Sequence, residues 1–127
     1  MIETSHLQLQ VQREVHALSV VVRVTGEIDQ DTVAVLRQEL RVALAIATPP
    51  FPVVVDLSGV TFLGSSGLDE LLEHHRAARA ARTPLRIVAA HRKVVRPLTV
   101  SGLDQVFELC PDVERALRVS GGGRAAG

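Results

Sequence analysis

Val53-Val54-Val55-Asp56-Leu57-Ser58-Gly59-Val60-Thr61-Phe62-Leu63-Gly64-Ser65-Ser66-Gly67-Leu68 changes character partway along. Its first five residues are nearly all apolar, the pattern of a central, parallel strand covered on both faces. Residues 60–63 read as a further short extended segment, and Gly64–Gly67 as a turn. From Ser66 to residue 82, Leu68, Leu71, Leu72, His75 and Ala78 recur at helical steps. Ser66 with Asp69 fits a capping box at that helix's start. Strand, glycine turn and amphipathic helix in succession form the repeating unit of α/β folds.

The pattern extends to both sides. Residues 7–13 alternate apolar and polar, as do 18–25, and the short link 14–17 makes the two a hairpin. Gly26 breaks the second run. Residues 29–46 carry Val33, Leu36, Leu40 and Leu44 on one helical stripe, with Asp29 as N-cap and Ile28 and Val33 spaced for a hydrophobic staple. Pro49, Pro50 and Pro52 bound the next loop. Downstream, residues 85–89 read as a strand. Residues 92–101 read as a helix that Pro97 either opens or kinks, with Gly102 at its C-terminal end. Val106–Leu109 reads as a last strand, and residues 111–119 as a last helix. The expected fold is α/β: one domain over residues 1–119, with a mixed, mostly parallel sheet of four to five strands, an N-terminal hairpin and about four helices. The Gly-rich residues 120–127 are expected to be a flexible tail.

Composition excludes several classes. The chain has 127 residues, enough to bury a core without disulfides or metal. Fourteen Lys and Arg balance fourteen Asp and Glu, so the basic excess of a nucleic-acid binder is missing. With three Phe and no Trp or Tyr, base-stacking platforms are poorly supplied. No apolar run is long enough for membrane insertion and the N-terminus has no secretory pattern, so a cytoplasmic location is expected. The lone Cys110 permits no internal disulfide. It reads as a small apolar filler, with a redox role as the alternative.

The chemistry concentrates at Ser65 and Ser66. A helix start presents unpaired N–H groups and the positive end of the dipole, so a phosphate there is stabilised. Spacing alone leaves two readings open: a plain cap and turn, or a hydroxyl that takes up phosphate and changes the surface charge. A nucleophile elbow is disfavoured because Leu68 stands where G-x-S-x-G needs its second glycine. A triad with His91 and Asp56 would rest on geometry that nothing in the sequence supports. His74 and His75 are adjacent on a helix and point apart, His75 being placed at the edge of the apolar stripe. His6, His16 and His91 lack ligand spacing. Arg92, Lys93 and Arg96 form either a solvated face or a contact for an acidic partner.

Three motifs occur in order. Val24-Thr25-Gly26-Glu27-Ile28-Asp29 follows the second strand, residues 56–68 follow the third, and Val100-Ser101-Gly102-Leu103 precedes the last. Together they resemble the anti-sigma factor antagonist family, built on the STAS domain, over Leu7 to Leu117. The resemblance implies a protein without catalytic activity or cofactor, which binds an anti-sigma factor serine kinase and frees a sigma factor. It implies phosphorylation of Ser65 (Ser66 being the alternative), separation of the pair, and resetting by a metal-dependent serine phosphatase. It puts Asp29, Ser58, Gly64, Ser66, Gly67 and Leu68 at or near the partner-facing surface. Many relatives have an acidic residue immediately before the serine pair, where this chain has Gly64. Two other readings stand beside this one: a STAS subunit of a transporter or stress-sensing assembly without a phosphorylation cycle, and a nucleotide or small-molecule sensor.

Overall fold

The computed structural model of the chain describes residues 9–118. The elements run β1 (Leu9–His16), β2 (Ser19–Ile28), α1 (Val33–Ile46), β3 (Val53–Leu63), α2 (Ser65–Ala80), β4 (Leu85–Val88), α3 (Arg92–Val100), a 3-10 turn (Leu103–Gln105), β5 (Glu108–Cys110) and α4 (Val113–Ala116). The five strands lie in sequence order, β1 antiparallel to β2 and every later neighbour parallel. This is the mixed α/β sheet with an N-terminal hairpin that the strand and helix periods imply.

Alternation of side chains along the strands separates two cores. Val20, Val22, Val24, Val53, Val55 and Ile87 share one cluster with Leu36 and Leu40 of α1, Leu71 and Ala78 of α2, and Val94 and Leu98 of α3. The intervening residues Val21, Val54 and Val88 pack with Ala116 and the partly buried Val113 and Leu117 around α4. Each large apolar side chain contributes ~1.5–3 kcal/mol of burial free energy, which is why β2 and β3 each carry three consecutive valines where they are covered on both faces.

Several boundaries differ from the sequence reading. Residues 53–57 and 60–63 form one strand, because the β2–β3 register shifts between Arg23 and Thr25 and so absorbs the extra residues. The helix expected from residue 29 begins at Val33. Asp29 instead closes the preceding turn, its Oδ1 accepting from the amides of Asp31 (2.9 Å) and Thr32 (3.0 Å). Pro97 neither opens nor ends α3 but lies within it. Gly102 adopts the left-handed conformation (φ +81°) and leads into the 3-10 turn, so Phe107 drops into the core and β5 starts only at Glu108. The last helix is shorter than expected and is capped by Asp112, which accepts from the Arg115 amide at 2.8 Å. Residues 7, 8 and 119 and the expected tail at 120–127 lie outside the described residues.

Candidate functional site

In a parallel sheet with helical crossovers, the loops that follow the strands gather at one edge. Here β2 and β3 end side by side, Ile28 opposite Leu63, and the Gly64 amide extends the ladder by donating to the Ile28 carbonyl at 2.9 Å. The loop after β2 and the start of α2 are therefore neighbours. Between them lies an open groove of about 340 Å³, lined by Asp29, Gln30, Asp31, Phe62, Gly64, Ser65 and Ser66.

The capping box expected at Ser66 and Asp69 does not form. Gly64 is the N-cap and no side chain caps the helix; the Gly64 carbonyl accepts from the Gly67 (3.0 Å) and Leu68 (3.1 Å) amides. Backbone closure thus satisfies the turn without using a hydroxyl. Among the described residues the Ser65 and Ser66 side chains have no hydrogen-bond partner, and neither do their amides. Ser65 is exposed and Ser66 half-buried. An exposed hydroxyl beside two free amides at the positive end of a 16-residue helix suits an added anion. Asp29 and Asp31 set two carboxylates across the same groove.

The glycines are fitted to this arrangement. A Cβ on Gly67 would stand 2.5 Å from Ile28 Cγ2 and 2.8 Å from Leu63 Cδ1. Gly67 is buried and allows the helix start to sit directly on the sheet. Leu68 is half-buried and packs against the core. Ser58 is exposed but lies outside the groove, its hydroxyl donating to Asp56 Oδ1. Asp29, Gly64, Ser65 and Ser66 are thus brought together. The residues not anticipated are Gln30, Asp31 and Phe62. Phe62 was legible only as the aromatic beside the serine pair whose strand position points away from the core-facing Leu63.

Other sequence candidates resolve differently. His91 and Asp56 converge on Ser58 rather than Ser65: His91 Nε2 contacts the Ser58 carbonyl at 3.1 Å and Asp56 Oδ1 accepts a hydrogen bond from the Ser58 hydroxyl, so neither meets the Ser65 hydroxyl as a triad would require. Asp56 also pairs with Arg23 at 2.9 Å. On α2 it is His74 that is buried, with Nδ1 donating to the Glu70 carbonyl at 2.9 Å, while His75 meets Phe107 edge-on at 5.5 Å. Glu70 also accepts from Arg37 Nε of α1 at 2.9 Å, tying the two helices. Burial pushes the Cys110 thiol above its ordinary range, reinforced by Glu108, which keeps it protonated and weakly nucleophilic. Among the described residues no three His, Cys, Asp or Glu side chains gather to hold a metal, and no helix is long and apolar enough to cross a membrane.

The family described as Mlab, STAS domain, matches residues 10–111. RsfB of Mycobacterium tuberculosis, an anti-sigma-F factor antagonist, is 35% identical over 104 residues, which are 82% of this chain and 83% of RsfB. The crystal structure of an anti-sigma factor antagonist from Mycobacterium paratuberculosis superposes with a TM-score of 0.79 at 34% identity, covering 87% of this chain and 92% of that one. Bacillus SpoIIAA in its phosphorylated form superposes with a TM-score of 0.63 at 23% identity, covering 84% and 96% of the two chains, a likeness of fold alone. The matched span and the close sequence relatives establish that the chain belongs to the STAS-domain family of anti-sigma factor antagonists.

Proposed function

We propose that the chain is a phosphorylation-switched binding module: unphosphorylated, it captures an anti-sigma factor serine kinase through the Ser65 groove and so frees a sigma factor. It acts by binding, not by catalysis. Phosphorylation of Ser65 by the bound kinase ends the contact, and a metal-dependent serine phosphatase restores it. Ser66 is the second candidate acceptor, disfavoured by its lower exposure. Asp29, Gly64 and Ser66 form the partner-facing rim with Ser65, and Ser58 lies beyond it.

The observation that carries this reading is the uncommitted Ser65 hydroxyl at the mouth of α2. Phosphate there gains the two free amides and the helix dipole, so the domain tolerates about two added charges. The cost falls on the interface, where a bulky dianion beside Asp29 and Asp31 must be buried against a partner. A penalty of ~3 kcal/mol weakens binding about a hundredfold. The test is incubation with purified anti-sigma factor kinases of the source organism and Mg-ATP, followed by mass-spectrometric mapping. One phosphate on Ser65, absent from Ser65→Ala, is expected. Labelling that persists at wild-type rate in Ser65→Ala would refute the assignment.

A further inference from the structure

Thr32 is a buried polar residue, 6% exposed, whose hydroxyl does not serve the helix it precedes. It stands at the N-cap of α1 without capping it. The hydroxyl turns back toward β2 instead, donating to the Glu27 carbonyl at 2.8 Å and accepting from the Asp29 amide at 2.9 Å. Asp29 returns the contact, its Oδ1 accepting from the Thr32 amide at 3.0 Å and the Asp31 amide at 2.9 Å. The two side chains close the loop from both ends, with the reciprocity of a capping box. The next carbonyl of β2, that of Ile28, receives the Gly64 amide at 2.9 Å. The acidic wall of the groove and its serine wall therefore hang from consecutive peptide units of one strand. Among the described residues, Asp29 Oδ2 and the Asp31 carboxylate have no hydrogen-bond partner, so both carboxylates keep charge to present to the groove they line.

We propose that Thr32 is the positioning residue of the switch: it holds the Asp29 and Asp31 carboxylates across from Ser65 and so sets how strongly a phosphate there is repelled. The inference rests on the function proposed above and names the part of the chain that makes the phosphate costly. Fixed carboxylates across the groove raise the free energy of a dianion on Ser65, while the free amides and the dipole of α2 lower it. Carboxylates on a loose loop would swing away from the added charge and repel it less. Removing the Thr32 hydroxyl leaves the Asp29 amide and the Glu27 carbonyl without their partner, which loosens the loop without altering its charge. Asp69, four residues beyond Ser65 on α2, is a third carboxylate near the phosphate, and it stays in place in every variant below.

The experiment installs the phosphate on Ser65 during translation, without the kinase, and reads its second pKa, ordinarily about 6, by phosphorus NMR. It compares wild type, Thr32→Ser, Thr32→Val, Asp29→Asn/Asp31→Asn and the last two combined, with thermal unfolding of each. Asp29→Asn/Asp31→Asn is expected to lower the phosphate pKa by about half a unit. Thr32→Val is expected to lower it by a comparable amount while still melting cooperatively. Thr32→Ser, which keeps the hydroxyl, should hold the wild-type value. In the doubly amidated background Thr32→Val should add nothing, because the carboxylates through which it acts are gone. A wild-type value in folded Thr32→Val overturns the proposal, as does a Thr32→Val shift that persists in full without the carboxylates, or a phosphate indifferent to Asp29→Asn/Asp31→Asn. If Thr32→Val does not fold, Thr32→Ser decides alone: a value shifted as far as that of Asp29→Asn/Asp31→Asn overturns the role of the hydroxyl, and the wild-type value supports it. Failure of every anti-sigma factor kinase of the organism to label Ser65 would overturn the proposed function and leave this result standing.

Discussion

Replacing Gly67 with alanine adds one carbon atom at the point where α2 meets the sheet. That carbon would stand 2.5 Å from Ile28 Cγ2 and 2.8 Å from Leu63 Cδ1, where ordinary contact begins at 3.4 Å. Ile28 is wholly buried and Leu63 is 4% exposed, so neither can swing into solvent. The helix start must therefore lift by roughly 1 Å, since dispersion contacts favour about 3.5–4 Å. Overpacking of this kind costs ~1–3 kcal/mol. Alanine returns up to ~1 kcal/mol of helix propensity, less in the first turn. The expected net loss is ~1–2 kcal/mol, a fall in melting temperature of about 5 °C. Because Ser65 rides on the same turn, its phosphorylation by the kinase should also slow. The control is Gly102→Ala: it has nothing within 4 Å but φ +81°, so it pays only the backbone cost of ~1 kcal/mol and leaves Ser65 untouched. Chemical denaturation of both variants decides the matter. A Gly67→Ala protein as stable as wild type, with unchanged Ser65 labelling, would refute the close-approach argument.

Three further perturbations have defined outcomes. Arg82 follows α2 at φ +58°, with the Thr83 amide donating to the Ala78 carbonyl at 2.9 Å and the Arg82 amide to the Arg79 carbonyl at 3.1 Å, a Schellman closure without its glycine; Arg82→Gly should raise the denaturation midpoint by the equivalent of ~1 kcal/mol, and a lower midpoint would contradict this. Arg86 is buried, donates from Nη1 to the Ala116 carbonyl at 2.9 Å and pairs through Nε with Glu108 at 3.1 Å; Arg86→Met should cost ~2–3 kcal/mol and speed hydrogen exchange across α4, and unchanged exchange would show that the arginine does not hold that helix. Burial, then Arg79 and Arg76, holds the His75 imidazole below its ordinary value of 6.5; the unfolded chain therefore takes up the proton first, so stability is fully present above about 6.5 and declines as pH falls from there through the folded-state value. His75→Gln should flatten that decline, and an identical pH profile would remove His75 as its source.

The apolar runs and helical stripes made the architecture legible because burial dictates both patterns. Val53–Leu57 read as a strand covered on two faces, and Leu36 and Leu40 as an inward stripe, and both are buried that way. Less legible was whatever depended on one local bond. Ser66 and Asp69 match the capping pattern, yet α2 begins at Ser65 with Gly64 as its N-cap, so Ser66 lies inside the first turn and cannot cap it. His75 reads as the edge of the apolar stripe and is half-buried, but the buried face of α2 runs through Gly67, Leu71, His74 and Ala78, so His74 is the one enclosed. Pro97 stays inside α3, where Val94 and Leu98 anchor the helix on either side of it. In the site, Asp29, Gly64, Ser65 and Ser66 were placed on one surface only through the family resemblance, and the pairing of β2 with β3 is what brings them together. Gly67 read as a surface glycine because sequence does not show which way a missing side chain would point. Phe62 escaped notice because exposure of one ring depends on what its neighbours lack.

Negative charge at Ser65 is expected to break partner binding without unfolding the domain. Titration of the anti-sigma factor kinase with unphosphorylated and with stoichiometrically Ser65-phosphorylated protein tests it directly, with circular dichroism on both forms. Tight binding by the first is expected, with binding about a hundredfold weaker by the second, identical spectra and melting temperatures within about 2 °C. Equal affinities, or a phosphorylated form that has lost its fold, would contradict it.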